Sequence, residues 1–187
     1  MRNQLPCVPA YRRNDDAGAG ALATLHAALR CRGAKAGYEE LLLLSGAAFG
    51  FVYDNAPVFE PQRDLLPLDV MRTGARATGY NGRWVVDRTP AETLDQVAGA
   101  LADGRPAVVS LYSVEGLHGF AVAVGCDPAG GELLVQTGER NFAPTMTPTQ
   151  ITLQLADGWS GAVTGPQAWG RCPVFLLEAG APSGWTA

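Results

Sequence analysis

The sequence has no hydrophobic run long enough to cross a membrane as a helix, and residues 1–11 lack the apolar centre of a signal peptide. It is also poor in positive charge, with 14 lysines and arginines against 18 aspartates and glutamates and a net charge of −4. Arg12 and Arg13 are its only adjacent basic pair. Nucleic acids and anionic membranes require clustered positive charge, so we expect neither as a partner and predict a cytoplasmic protein.

Residues that bind metals or act as nucleophiles are scarce. The two histidines are His26 and His118, and the four cysteines are Cys7, Cys31, Cys126 and Cys172. No cysteine pair has CxxC spacing, and no pattern typical of a zinc site, a phosphate-binding loop or a serine hydrolase occurs. We therefore predict free thiols, as in a reducing compartment, and expect no metal and no cofactor.

Apolar residues, in contrast, make up 47% of the 187 residues, which is enough for one globular domain with a sizeable core. We predict a single domain over residues 1–187, with an extended lead-in over 1–13 and a tail over 179–187. Helical patterns fill the first half of the chain and strand patterns the second, which predicts an α+β fold.

Capping residues and hydrophobic spacing predict the individual elements. The predicted helices run from the capping residues Asn14–Asp16 to about Arg32, over 38–45, over 68–78, from the Thr89–Glu92 capping box to Gly104, and from Thr147 to about Ala156. The predicted strands cover 83–87, 106–112, 120–124, 132–136 and 173–178. Residues 46–67 are rich in aromatic residues and proline, and so long a loop is either a packed connection or a lid.

The apolar run 117–127 opens with His118, directly after a loop that contains glycine. A strand end beside a loop is where a rigid scaffold presents catalytic side chains, and imidazole titrates near neutral pH. A structural histidine at a sheet edge is the alternative interpretation. His26 lies beside leucines on the first predicted helix, and we expect it to be a hydrogen-bonded residue at the core boundary.

Three stretches, taken in order, resemble the bacteriocin-leader (double-glycine) peptidase-like branch of the papain-like cysteine peptidases. Residues 33–46 (GAKAGYEELLLLSG) are similar to its second helix, residues 104–113 (GRPAVVSLYS) to a strand, and residues 117–127 (LHGFAVAVGCD) to the strand with its catalytic histidine. Residues 44–54 (LSGAAFGFVYD) are similar to the related butirosin-type acyltransferases. The resemblance implies a papain-like fold, with a helical N-terminal half packed on an antiparallel C-terminal sheet.

The resemblance also assigns the site residues. The family's catalytic histidine falls on His118, and its orienting partner falls near Gln136 or Thr137. The nucleophilic cysteine begins the family's first helix, and that position falls on Gly20. The oxyanion-hole glutamine, six residues earlier, falls on Asn14. The chain therefore has the histidine and an amide in place of the glutamine, but glycine in place of the nucleophile.

The missing thiol decides the expected chemistry, because acyl transfer through cysteine needs a thiolate beside an imidazole. A shift of the first helix by one turn would offer Asp16, which is not a thiol. Cys31 lies roughly 16 Å further along the helix at 1.5 Å per residue. Cys126 lies more than roughly 20 Å along the strand of the histidine at about 3.3 Å per residue. Cys7, on the lead-in, is the best candidate for a displaced nucleophile.

The sequence thus favours a papain-like domain without catalysis, which binds a peptide or a small acyl- or amide-bearing ligand in a cleft near His118. One alternative is an active cysteine hydrolase or acyltransferase whose nucleophile is displaced, with Cys7 in that role. Another is a structural or regulatory subunit in which the histidine has no function. The sequence leaves these alternatives open.

Overall fold

A computed structural model describes residues 3–5, 8–9, 11, 20–46, 67–85, 89–110, 120–138, 149–154 and 174–178. Within these residues the chain forms four helices and seven strands. In chain order they are β1 (Asn3–Gln4), α1 (Gly20–Cys31), α2 (Tyr38–Leu44), α3 (Pro67–Ala77), β2 (Asn81–Val85), α4 (Pro90–Ala102), β3 (Ala107–Ser110), β4 (Phe120–Asp127), β5 (Glu132–Thr137), β6 (Thr149–Gln154) and β7 (Val174–Glu178).

The seven described strands form one antiparallel sheet, in which six follow the order β2-β7-β3-β4-β5-β6 and β1 pairs with β4. The long strand β4 lies between β3 and β5. At its C-terminal end β4 also pairs with β1, where Asn3 lies opposite Cys126 and Gln4 opposite Gly125. Part of the predicted lead-in therefore belongs to the sheet.

Alternate residues of β4 point to opposite faces of the sheet, as the pleat requires. Val122 and Val124 are buried in the core on the face covered by α1 and α3. Ala121 and Ala123 are buried on the other face, against α4. The sheet thus lies between two helical layers, which confirms the α+β class and an antiparallel sheet with helices packed on it.

The helix termini follow the signals in the sequence. The Thr89 hydroxyl accepts a hydrogen bond from the backbone N–H of Glu92, whose carboxylate accepts one from the backbone N–H of Thr89, so the predicted capping box opens α4. Gly33 ends α1 with a φ of 84°, a left-handed conformation that favours glycine. Its N–H donates to the carbonyl of Arg30, and that of Ala34 to the carbonyl of Leu29, which is a Schellman motif.

The helix predicted from Thr147 to Ala156 is wrong, because residues 149–154 form β6. This strand pairs along the whole of β5, from Thr137 opposite Thr149 to Glu132 opposite Gln154. A capping signature is a local feature, whereas pairing with β5 satisfies the backbone groups of an otherwise open sheet edge. The β-branched residues of the segment also favour a strand.

The apolar run of α2 is only partly buried. Leu41 is fully buried, whereas Leu43 and Leu44 are 55% and 44% exposed. A helix of seven residues that packs on α1 and α3 presents one side to them and the other to solvent. Most of the predicted loop over 46–67 and the predicted tail over 179–187 lie outside the described residues. Among the described helices, none has both the length and the apolarity needed to cross a bilayer.

Candidate functional site

The first turns of α1 lie against the beginning of β4. The Thr24 hydroxyl donates a hydrogen bond to the Phe120 carbonyl over 3.5 Å, and Thr24 is 1% exposed. In the described part of the chain α1 begins at Gly20, one turn before Thr24. Phe120 comes two residues after His118 in the sequence. The two elements to which the resemblance assigns the nucleophile and the base are therefore neighbours.

The structure describes two of the four predicted site residues, Gly20 and Gln136. Gly20 is the first described residue of α1, where the resemblance places the start of the first helix. His118 and Asn14 lie outside the described residues. Gln136 lies in β5, opposite Val122 of β4, and therefore on the face of the sheet that α1 covers.

The side-chain amide of Gln136 holds the N-terminal segment on the sheet. This side chain is buried, and its Nε2 donates to the carbonyls of Val8 at 3.3 Å and Pro9 at 2.9 Å. The Tyr11 hydroxyl donates to the Gln136 backbone carbonyl over 3.0 Å. Because both amide hydrogens of Gln136 are used in these contacts, the residue has a positioning role for the lead-in.

The opening turns of α1 contain no nucleophile. Residues 20–27 read GALATLHA, and Thr24 carries the only hydroxyl among them. This hydroxyl is buried and already donates to the Phe120 carbonyl. The small side chains of Ala21 and Ala23 are buried instead, which lets α1 approach the sheet closely. No side chain of this stretch can attack an acyl carbon as a thiolate does.

The thiol of Cys126 lies on the opposite face of the sheet from α1. It is 2% exposed and donates to the Leu94 carbonyl over 3.6 Å. Burial, followed by the negative charges of Asp127 and Asp95, raises the pKa of Cys126 to about 11. A thiol with so high a pKa is protonated at neutral pH and poorly nucleophilic. The prediction of a free thiol is confirmed for Cys126.

Cys31 forms a disulfide bond, whereas Cys126 is a free thiol. The prediction of free thiols is therefore wrong for Cys31. That prediction rested on the absence of CxxC spacing among the cysteines. Residues far apart in the chain are brought together by the tertiary fold, which spacing does not reveal.

His26 of α1 forms a hydrogen bond with the loop that follows this helix. Its Nε2 donates to the Ala36 carbonyl over 3.1 Å, and its ring lies edge-on to Tyr38 with ring centroids 5.9 Å apart. Burial, with a smaller contribution from the positive charge of Arg30, lowers the pKa of His26, although the Ala36 carbonyl and Glu39 act in the other direction. The prediction of a hydrogen-bonded boundary histidine is confirmed.

A concave surface lies between β2 and α4. It has a volume of about 460 Å³ and is lined by Arg83, Val85, Glu92, Asp95 and Gln96. Arg83 forms an ion pair with Glu178 at 2.7 Å and also donates to the Gln96 carbonyl oxygen at 2.8 Å. Since Glu92 closes the capping box, two of the three charged residues of this groove, Arg83 and Glu92, already have partners within the protein. In the described part of the chain, no three acidic, histidine or cysteine side chains come together as a metal site.

No protein-family model matches the chain. The resemblance to the papain-like peptidases therefore rests on the three sequence stretches in their order. The neighbouring positions of α1 and the start of β4 are compatible with it.

Sequence reasoning missed two contacts that build this corner. Thr24 is a hydroxyl on an otherwise apolar helix face, which is a signal for a buried hydrogen bond, but its partner is 96 residues away. Tyr11 lies in a segment without periodicity, and nothing in the sequence indicates that its hydroxyl reaches β5. Both contacts join parts of the chain that only the fold brings together.

Proposed function

We propose that the protein is a papain-like domain without a catalytic cysteine, which binds a peptide or a small acyl- or amide-bearing ligand near His118. One observation carries this proposal. The start of α1, where the family has its nucleophile, packs against the start of β4, where the family has its base, and α1 has no thiol in its opening turns. A corner of this kind retains a place for a ligand but lacks the group that forms an acyl-enzyme.

The proposal is tested by mixing the purified protein with a synthetic N-acetylated peptide that ends in a Gly-Gly amide. Calorimetry measures binding, and mass spectrometry measures whether the peptide remains intact. We expect saturable binding, recovery of the intact peptide and at least tenfold weaker binding by His118→Ala. The matched control is His26→Ala, because His26 is hydrogen-bonded within the α1 layer and is not assigned to the site.

Two results would overturn the proposal. Cleavage or transacylation of the peptide, or of a thioester, that is lost in His118→Ala would identify an enzyme. Equal binding by wild type and His118→Ala would place the ligand elsewhere or leave the histidine without a role.

The alternative with Cys7 as displaced nucleophile receives no support from the described neighbours of this residue. The Leu5 N–H donates to the Val124 carbonyl over 2.7 Å, and Val8 is buried in the core below α1. Cys7 and His118 lie outside the described residues, and Val8 accepts a hydrogen bond from Gln136, so these anchors do not decide whether the segment reaches the histidine. The active-enzyme hypothesis predicts that Cys7→Ala abolishes turnover and leaves the fold intact.

A further inference from the structure

Strand β2 lies at one edge of the sheet. In the described part of the chain it pairs with β7 alone, from Asn81 opposite Glu178 to Val85 opposite Val174. In an antiparallel strand the backbone N–H and C=O groups of alternate residues point to opposite sides. About half of these groups in β2 therefore point away from β7, where they can pair with a further strand.

The side chains of β2 alternate between the two faces of the sheet. Trp84 packs against the core cluster on the α1 face, with its ring centroid 5.3 Å from that of Phe175. Val85 belongs to the cluster on the α4 face, and the Arg83 guanidinium donates to the side-chain oxygen of Gln96 in α4. The same alternation applies to any strand added beside β2, so every second side chain of that strand points to the α4 face.

The groove between β2 and α4 lies on this α4 face. Its volume is about 460 Å³, and residues of β2 line one side of it and residues from the first half of α4 the other. Extended peptides bind in such grooves by strand addition, in which the backbone pairs with the edge strand and alternate side chains enter the groove. The length of β2 is about 16 Å, so a segment of about five residues is sufficient to pair along it.

The charges of the groove determine which segment it favours. The guanidinium of its lining, that of Arg83, already forms an ion pair with Glu178 over 2.7 Å. The exposed carboxylate of Asp95, in contrast, forms no hydrogen bond or ion pair with any residue that the structure describes. The remaining charged residue of the lining, Glu92, is also an acid. A lysine or arginine side chain that enters the groove therefore gains an ion pair with Asp95, whereas an acidic side chain is repelled.

We propose that an extended, basic segment of a partner protein binds along β2 as an added strand and places a lysine or arginine side chain against Asp95. This inference does not depend on the proposed function, because the groove lies on the α4 face of the sheet, whereas α1 and Phe120 pack on the other face. A free amine or guanidine can pair with Asp95 but leaves the outer backbone groups of β2 unused. Strand addition therefore requires both the charge of the segment and its backbone N–H groups.

A phage-displayed library of random heptapeptides, selected on the immobilised full chain, tests the requirement for charge. We expect the enriched sequences to contain lysine or arginine. A synthetic peptide with an enriched sequence, followed by fluorescence anisotropy, should bind Asp95→Asn about fivefold more weakly than wild type. The matched control is Glu39→Gln, which removes the same charge from an exposed position of α2 on the other face and should change the Kd by less than about twofold.

Three results of this selection would overturn the proposal. They are a library without any enriched sequence, enriched sequences without a basic residue, and equal effects of Asp95→Asn and Glu39→Gln on the Kd. Because Asp95 is exposed and has no partner among the described residues, the Asp95→Asn chain is expected to fold as the wild type does.

Methylation of the peptide backbone tests the requirement for strand pairing. The enriched peptide is synthesised with an N-methyl group on one residue at a time, which removes that residue's N–H donor. Only alternate residues of an added strand point their N–H groups to β2, so we expect at least about tenfold weaker binding at every second residue and little change at the others. Binding that is insensitive to methylation at all positions would exclude strand addition.

Hydrogen exchange of the free chain, resolved by NMR, shows whether another segment already covers β2. We expect slow and fast amides to alternate over residues 81–85, and the fast ones to become slow when the peptide binds. Slow exchange at all these amides in the free protein would show that the chain covers its own edge. If this protection depends on protein concentration, a second copy covers it. Either result would overturn the proposal.

One further comparison separates this groove from the corner between α1 and β4. The enriched peptide should bind His118→Ala and wild type equally, and the peptide that ends in a Gly-Gly amide should bind Asp95→Asn and wild type equally. Loss of the enriched peptide's binding in His118→Ala would assign this peptide to the corner and overturn the proposal. The groove and the proposed function can therefore fail independently of each other.

Discussion

The amide of Gln136 joins two parts of the molecule that are far apart in the sequence. It lies where the resemblance expects the partner of the catalytic histidine, yet both its amide hydrogens are donated to the carbonyls of Val8 and Pro9. Such a buried side chain is difficult to replace, because the Val8 carbonyl that loses its donor stays buried. We therefore assign Gln136 to the positioning of the lead-in.

We predict that Gln136→Ala lowers the free energy of unfolding by about 1–3 kcal/mol, because the buried carbonyl of Val8 and the partly buried carbonyl of Pro9 lose their donor. Urea denaturation measures this loss. Gln96→Ala is the matched control, since Gln96 is exposed and its contact with Arg83 is at the surface, so its effect should stay within about 0.5 kcal/mol. Equal effects of the two substitutions would contradict the positioning role.

His26 links stability to pH. Its pKa is lowered by burial in the folded protein, so the unfolded chain binds a proton more readily, and stability falls as the pH drops below about 6.5 toward the folded value. The urea midpoint of wild type relative to His26→Gln should therefore decrease between pH 8 and pH 5.5. A difference between the two proteins that does not change with pH would exclude this linkage.

Cys126 should resist alkylation in the folded protein. With a pKa of about 11 its thiolate fraction at pH 8 is about 200-fold smaller than that of a thiol with the ordinary pKa of about 8.5. We predict a correspondingly slow reaction with iodoacetamide, read from the tryptic peptide 89–140, and a normal rate once urea unfolds the chain. A native rate within about tenfold of the unfolded rate would show that the thiol is accessible and ionised.

At the scale of elements, the packing of β2 depends on one glycine. A Cβ built on Gly82 would lie 2.0 Å from Cζ of Phe175, and Phe175 is fully buried, so its ring cannot move away. We predict that Gly82→Ala lowers the free energy of unfolding by about 2–3 kcal/mol through overpacking. Chemical denaturation measures the loss.

Gly99 in α4 provides the matched control for this substitution. It is exposed, and a Cβ there would meet no atom within 4 Å. Gly99→Ala should therefore raise stability by about 0.5–1 kcal/mol, because alanine reduces the conformational freedom of the unfolded chain and favours helix. A neutral Gly82→Ala would show that the Phe175 ring or the strand can shift.

The elements that sequence reasoning predicted correctly have local causes. The capping box at Thr89 and the glycine after α1 determine helix termini through contacts within a few residues. The element it predicted wrongly, β6, has a capping signature in front of it but pairs with β5. The partial burial of α2 is not a local property either, because the sides that a short helix buries depend on its neighbours.

At the scale of the molecule, the sequence was sufficient to predict a first helix that ends near Arg32 and a strand that begins at Phe120. It did not predict that Thr24 joins these elements, since this contact spans 96 residues. The same limitation applies to the disulfide of Cys31 and to the docking of the lead-in on β5. These long-range contacts determine the shape of the candidate site.

We propose that the molecule keeps the papain-like arrangement of helix start and histidine but lacks the thiol. The most direct test restores it with Gly20→Cys and measures alkylation of the introduced thiol against pH, read from the tryptic peptide 14–30, which contains no native cysteine. We predict an apparent pKa at least about one unit below the ordinary 8.5, and a return toward 8.5 when His118→Ala is added. An introduced thiol that titrates near 8.5 regardless of His118 would contradict the account.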